Sequence, residues 1–160
     1  MSNHSASFGI TNAKQFLDKL HEEQKDFEAS DSLSARHALN AIITAYHLHE
    51  WVWGEWLQKR HDLRKEWGVN SPGEFGRRLA NQYCPALEDA RKITNGTKHF
   101  ENRIVTGHHR GVFQRGVFQK DAFNVSRLWI DRGDKSQLAE DFIDELVKFW
   151  DQFFAQYEIV

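Results

Sequence analysis

Ten apolar side chains near the end of the chain fall on helical spacing and leave little freedom about its architecture. Leu138, Phe142, Leu146, Phe149, Phe153 and Tyr157 recur every three or four residues, and Ile143, Val147, Trp150 and Phe154 widen the stripe. Spacing of this kind puts all ten on one broad face of a helix. So wide a face has to be covered, by the rest of the chain or by another subunit. Twelve Phe and six Trp in 160 residues add to the apolar area in need of burial. A homodimer or a protein partner is therefore expected.

The remaining signals extend this helix into a bundle. A first helix is predicted from about Asn12 to Ala29, with Phe16, Leu17, Leu20 and Phe27 on its apolar face. Ser30, Asp31, Ser32 and Ser34 break it and supply a cap for the next. A long second helix is predicted over Leu33 to Trp67, stopped by Gly68, with a charged second half from Gln58 to Glu66 projecting into solvent. Ser71-Pro72-Gly73-Glu74 reads as a helix start with a capping box, and that helix runs to about Tyr83. Pro85 opens a fourth helix reaching about Lys98. Asp134 and Gln137 are placed to form a capping box for the last helix, predicted over Lys135 to Tyr157.

Residues 101–132 differ from the rest. Phe123, Val125, Arg127 and Trp129 alternate with Asn124, Ser126, Leu128 and Ile130, the period-two pattern of a strand. A tandem Arg-Gly-Val-Phe-Gln at Arg110–Gln114 and Arg115–Gln119 precedes it and reads as a loop or a bulged hairpin. The fold class is thus mainly α: a single domain over 1–160, a bundle of about five helices, with a small β-hairpin or irregular β excursion before the last. Residues 1–10 read as a flexible N-terminal stretch.

Composition narrows the functional classes. The formal net charge is −2, unlike a protein that coats nucleic acid by bulk charge. Met1–Phe8 has no apolar run of the secretory type. No apolar run approaches the roughly 20 residues that cross a bilayer, so no membrane partner is expected and a cytoplasmic location is. One cysteine, Cys84, forms no internal disulfide framework. It precedes a helix start, where a thiolate is stabilised, but no His accompanies it, and a buried structural thiol is the simpler reading. No phosphate-cradling Gly-rich loop is present.

Three polar constellations remain. On the second helix, His37, Asn40, Thr44, His47 and Trp51 share one face at about 100° per residue. That face carries no Lys, Asp or Glu, unlike an ordinary solvated face. It is readable as a solvent-facing strip or as a pocket wall, in which His could exchange protons and Trp51 could stack on a planar ligand. His47 and Glu50 are three apart and could share a metal, but the second Glu-x-x-His pair of a di-metal bundle is missing. No metal and no cofactor are expected. On the fourth helix, Glu88, Arg91, Asn95 and His99 share a face, where Arg91 offers a fork for phosphate and His99 a general acid or base. In the excursion, Arg110, Arg115, Lys120 and Arg127 interleave with Phe113, Phe118 and Trp129. They suit a nucleic-acid surface or a small sheet packed on the bundle.

Thr94-Asn95-Gly96-Thr97-Lys98-His99, at the end of a helix in a helical bundle, resembles the active motif of the HEPN superfamily, helical domains of RNases, toxins and antiphage defence proteins. The resemblance covers roughly Leu33 to Phe100. Asn95 and His99 match the motif's polar and His positions, and Thr94 stands where the family has Arg. The resemblance implies an RNA-related role, and the loss of the Arg removes the positive charge its phosphodiester chemistry would use. A second match, Arg103-Ile104-Val105-Thr106-Gly107-His108, has the spacing but carries Ile at the polar position.

The expectation that follows is a HEPN-like binding or accessory protein, RNA- or defence-related, without robust catalysis. Its polar pocket would lie between the second and fourth helices, lined by His37, Asn40, His47, Asn95, Lys98 and His99. The alternatives are a metal-independent RNase or toxin using Arg91 with His99 or Arg103 with His108, and a non-catalytic structural subunit of a complex.

Overall fold

The structure, a computed structural model, describes residues 9–99, 106–110, 126–132 and 135–160. Six α-helices dominate these residues: α1 (Ala13–Ala29), α2 (Ala35–Val52), α3 (His61–Trp67), α4 (Pro72–Gln82), α5 (Ala86–His99) and α6 (Ala139–Tyr157). Three short strands, β1 (Thr106–Arg110), β2 (Ser126–Asp131) and β3 (Ser136–Leu138), form an antiparallel sheet in the order β1-β2-β3 before α6. The mainly helical bundle with a small β excursion is the architecture the patterning predicts.

Local chemistry sets the helix starts. Asn12 Oδ1 accepts from Gln15 N at 2.8 Å to begin α1. Ser34 Oγ accepts from His37 N at 3.3 Å to begin α2, and Ser71 Oγ from Glu74 N at 3.2 Å to begin α4. The Glu74 carboxylate reaches back one residue further than a capping box requires, accepting from Asn70 N at 2.6 Å. Gly68 takes the left-handed conformation, φ 64°, that closes α3, a position where a side chain would be strained.

Two boundaries depart from expectation. The single helix predicted over Leu33 to Trp67 is two helices joined by a π turn, Trp53–Leu57, in which Gln58 N donates to Trp53 O at 2.8 Å, an i→i+5 bond. The chain then breaks before His61, and α3 sets off anew. The last helix starts at Ala139, not Lys135. Ser136, Gln137 and Leu138 instead pair with Asp131, Ile130 and Trp129 of β2, and no side chain caps α6. Asp134, the other half of the expected box, lies outside the described residues. A ladder partner has outweighed a local capping pattern.

α2 is the central helix, packed against α1, α4, α5 and α6. The core gathers Leu20, Phe27, Ile42, Leu48, Leu57, Phe75, Leu79, Phe142, Ile143, Leu146 and Trp150, all essentially inaccessible. The α6 stripe is therefore covered by the chain's own helices. Leu138, Phe149 and Tyr157 are the exceptions, half-buried at the rim. Among the described residues the only large exposed apolar side chains are Tyr83 and Val160, so the stripe that suggested a second subunit is satisfied internally. Arg132 fastens the sheet to the bundle. Its buried guanidinium donates to Asp89 of α5 at 2.6 Å and Gln137 of β3 at 2.8 Å, and lies over the ring of Phe142. Glu145 of α6 completes its surroundings at 3.4 Å. No helix among the described residues is long and apolar enough to cross a membrane.

Candidate functional site

The polar face of α2 is shared out among separate neighbours. Thr44 is buried, and its hydroxyl accepts from Lys19 Nζ of α1 at 2.7 Å. Trp51 has one face stacked on Phe16 of α1, centroids 4.8 Å apart and planes 17° from parallel. Asn40 is exposed. His37, half-buried, receives Arg36 at Nε2 across 3.1 Å. His47 faces Glu50 at 3.6 Å. His37 and His47 are ten residues apart on one helix, about 15 Å along its axis, and share no partner. A groove of about 530 Å³ opens beside this face, lined by Thr11, Glu50, Trp51, Gly54 and Glu55. Of the predicted pocket residues whose side chains are described, His37, Asn40, His47 and Asn95, none lines it.

On α5, Asn95 is half-buried and Thr94 buried. Arg91 is held bidentately by Glu88, at 2.8 and 2.7 Å. That hydrogen bond keeps the Glu88 carboxyl below the usual carboxylate range and raises Arg91. A fork already closed on a carboxylate has no free donors of this pair to offer phosphate. Lys98 and His99 end α5, and His108 and Arg110 lie on β1. Their side chains, and the whole of Arg103, Arg115 and Lys120, lie outside the described residues. Arg127, on β2, is paired with Glu140 at 3.1 Å.

Two groups owe their state to burial. The Cys84 thiol is pushed up to about 11 by desolvation, which outweighs the helix amides of Ala86 and Leu87, and so stays protonated. His49 is buried against α4, where a Cβ at Gly76 would come within 2.9 Å of its ring. Its Nδ1 lies 2.5 Å from Tyr46 O. A carbonyl only accepts, so Nδ1 carries the proton and Nε2 is bare. Burial lowers its pKa despite that bond.

A different part of the molecule concentrates unpaired charge. Trp53 and Trp56 of the π turn, Trp67 of α3 and Phe75 of α4 form a continuous aromatic cluster with Phe153 and Tyr157 of α6, with centroids 5–6 Å apart. Three guanidiniums lie on its tryptophans: Arg60 on Trp56 at 4.9 Å, Arg64 on Trp53 at 5.7 Å and Arg78 on Trp67 at 5.5 Å. These are cation–π distances. Elsewhere Arg91, Arg127 and Arg132 are each paired with a carboxylate. Among the described residues no ion pair involves Lys59, Arg60, Arg64, Lys65, Arg77 or Arg78. Arg64 donates to His61 Nδ1 and Arg78 to Trp67 O. Arg64 Nε, Arg78 Nε and Trp56 Nε1 are buried without an acceptor.

This corner escapes a reading of the sequence as a solvated, charged helix end. The signal is present: Trp56 and Arg60 are four apart, the spacing of facing residues on a helix. Residues 59–78 hold six Lys or Arg against three Asp or Glu in a chain of net charge −2. Comparisons with protein-family models, curated proteins and solved structures give no match.

Proposed function

We propose that the chain is a helical RNA-binding accessory protein without catalysis of its own, and that it docks the phosphate backbone on the arginine-covered tryptophan corner. The observation that carries this reading is the set of guanidiniums Arg60, Arg64 and Arg78, held in place by aromatic rings and left without carboxylate partners. An arginine that is positioned, desolvated on one face and unpaired is suited to phosphate. The buried Nε–H groups of Arg64 and Arg78, which lack acceptors, are a further reason to place an anion there. Trp53, Trp56 and Trp67 are themselves buried, so they hold the arginines and do not stack bases. Binding would therefore read the backbone and be largely indifferent to sequence.

The closed Arg91–Glu88 fork and the burial of Thr94 at the motif's Arg position support a non-catalytic role over the RNase alternative. The HEPN-like resemblance stays part of this proposal, as the reason for naming RNA among polyanions.

Fluorescence anisotropy with labelled single-stranded RNA tests it. Affinity should fall steeply with added salt, as counterion release requires. The exposed Arg60→Glu, combined with Lys59→Glu, should weaken binding by tenfold or more without altering the circular dichroism spectrum. Equal binding by wild type and this variant overturns the assignment. Binding of heparin but not RNA overturns the choice of RNA.

A further inference from the structure

We propose that Glu23, Asp26 and His37 form a site for a first-row divalent transition-metal ion, with zinc the natural occupant, that clips the α1–α2 hairpin. Glu23 and Asp26 are three apart near the end of α1 and share a face. His37 lies in the first turn of α2, which returns along α1 after the Ser30–Ser34 connection. One ligand atom from each of the three side chains lies within 4.8 Å of the other two. Liganding at about 2.0–2.2 Å asks these atoms to draw closer by about 1 Å, which side-chain torsions supply: Asp26 is exposed and Glu23 has three rotatable bonds.

A second observation at the same place points to a missing partner. His37 Nδ1 is buried and has no hydrogen-bond partner, although an imidazole nitrogen so placed costs free energy unless something meets it. The donor set, one imidazole and two carboxylates with remaining positions left to water, suits zinc, cobalt or nickel better than calcium or magnesium, which take oxygen alone, or copper(I), which prefers sulfur.

Two cations compete for these ligands, and both can leave. Lys19 Nζ is 2.9 Å from Glu23, but it also donates to Thr44 Oγ1 at 2.7 Å and keeps that bond when the carboxylate turns to a metal. Arg36 donates to His37 Nε2 at 3.1 Å. This bond puts the ring proton on Nδ1. Metal at Nδ1 requires the other tautomer and releases Arg36, and metal at Nε2 displaces it directly. On either route Arg36 opposes the ion. The site shares no residue with the arginine corner or with the His47–Glu50 pair.

The experiment uses the full chain, freed of metal by chelator and without RNA. Zinc binding is followed by calorimetry, cobalt binding by its visible absorption bands, and thermal unfolding is recorded with and without zinc. The expected result is a site whose affinity falls by about tenfold or more in both His37→Ala and Asp26→Asn, while Arg36→Ala binds at least as tightly as wild type. Zinc should raise the unfolding midpoint of wild type, because a ligand of the native state stabilises it, and should not raise that of Asp26→Asn. Asp26 is exposed, so this variant keeps its fold even if His37→Ala does not. Zinc binding that neither substitution weakens belongs to other histidines and overturns the proposal, as does no binding at all.

Discussion

Trp150 donates its indole N–H to the backbone carbonyl of Ala45 across 2.8 Å, tying the middle of α6 to the middle of α2. The ring is wholly buried and packs edge-on against Phe153 and Phe154. Trp150→Ala should cost about 3–5 kcal/mol, the range for deleting a large buried aromatic. Phe149, one residue earlier but half-buried at the rim, should cost only about 1–2 kcal/mol as Phe149→Ala. Urea denaturation checks both. The midpoints should separate in this order with the slope unchanged, and equal midpoints would mean the rim is packed as tightly as the centre.

His49 makes stability depend on pH in a defined direction. Burial lowers its pKa in the folded chain below the ordinary imidazole value of about 6.5. Between the folded and unfolded values the unfolded chain binds more protons, so stability rises with pH across that interval. The contribution is fully present above about 6.5 and is lost as pH falls below it. His49→Asn can still donate to Tyr46 O but does not titrate. Its stability should vary less than wild type between pH 7 and 5, whatever its absolute value. Parallel curves for the two proteins would assign the slope to other groups.

Two glycines of α4 should respond oppositely to alanine. At Gly76 a Cβ meets the His49 ring at 2.9–3.3 Å, and that ring is buried and held by its bond to Tyr46 O. Gly76→Ala should cost about 1–3 kcal/mol. At Gly73 nothing lies within 4 Å and the backbone is helical. Gly73→Ala should gain about 0.4–1 kcal/mol by restricting the unfolded chain. Melting temperatures of the two variants should move to opposite sides of wild type.

Metal-independent RNase activity should be absent from the purified protein with chelator present, on structured and single-stranded RNA alike. His99→Ala and His108→Ala should then change nothing. A general acid or base contributes about 10²–10⁴ in rate, so cleavage by wild type that either substitution removes on that scale would establish an enzyme. Thr94→Arg is a poorer revertant than the motif alone suggests. Thr94 is buried, and an arginine there should lower stability by more than 1 kcal/mol, measurable by urea denaturation alongside the assay.

The elements that announced themselves were those whose local signal and tertiary role agree. α6 follows from its stripe, α4 from Ser71 and Pro72, and the end of α3 from Gly68. The π turn has no local signature. Residues Trp53–Leu57 suit an α-helix by composition, and only packing of Trp53, Trp56 and Leu57 into one core distinguishes the two. β3 was hidden for the opposite reason: Gln137 fits a capping box, and the rival is a ladder with β2 that no local window contains. Of the candidate residues, His37 was visible as a polar group on a helix face. Its carboxylate neighbours sit on another helix, 11 and 14 positions earlier, and are joined to it only by the α1–α2 hairpin. The arginine corner was concealed because charge on a helix end ordinarily means solvent, and the tryptophans under it come from two segments, the π turn and α3.

The bond from Gln58 to Trp53 has a consequence for chain length. A turn closed from i to i+5 holds one residue more than an α turn, so α2 carries a surplus residue just before the arginine corner. Gly54 is the natural candidate for that surplus, since nothing lies within 4 Å of where its Cβ would be. A chain shortened by this one residue could run as an uninterrupted α-helix through Leu57. With Gly54 gone, the bond from Gln58 to Trp53 becomes an ordinary i→i+4 bond, so the chain beyond it keeps its direction around the helix axis and Arg60 stays on the same side of the molecule. The wide turn thus takes up one residue without re-aiming the cationic corner, and a chain lacking that residue would present the same surface from a regular α-helix.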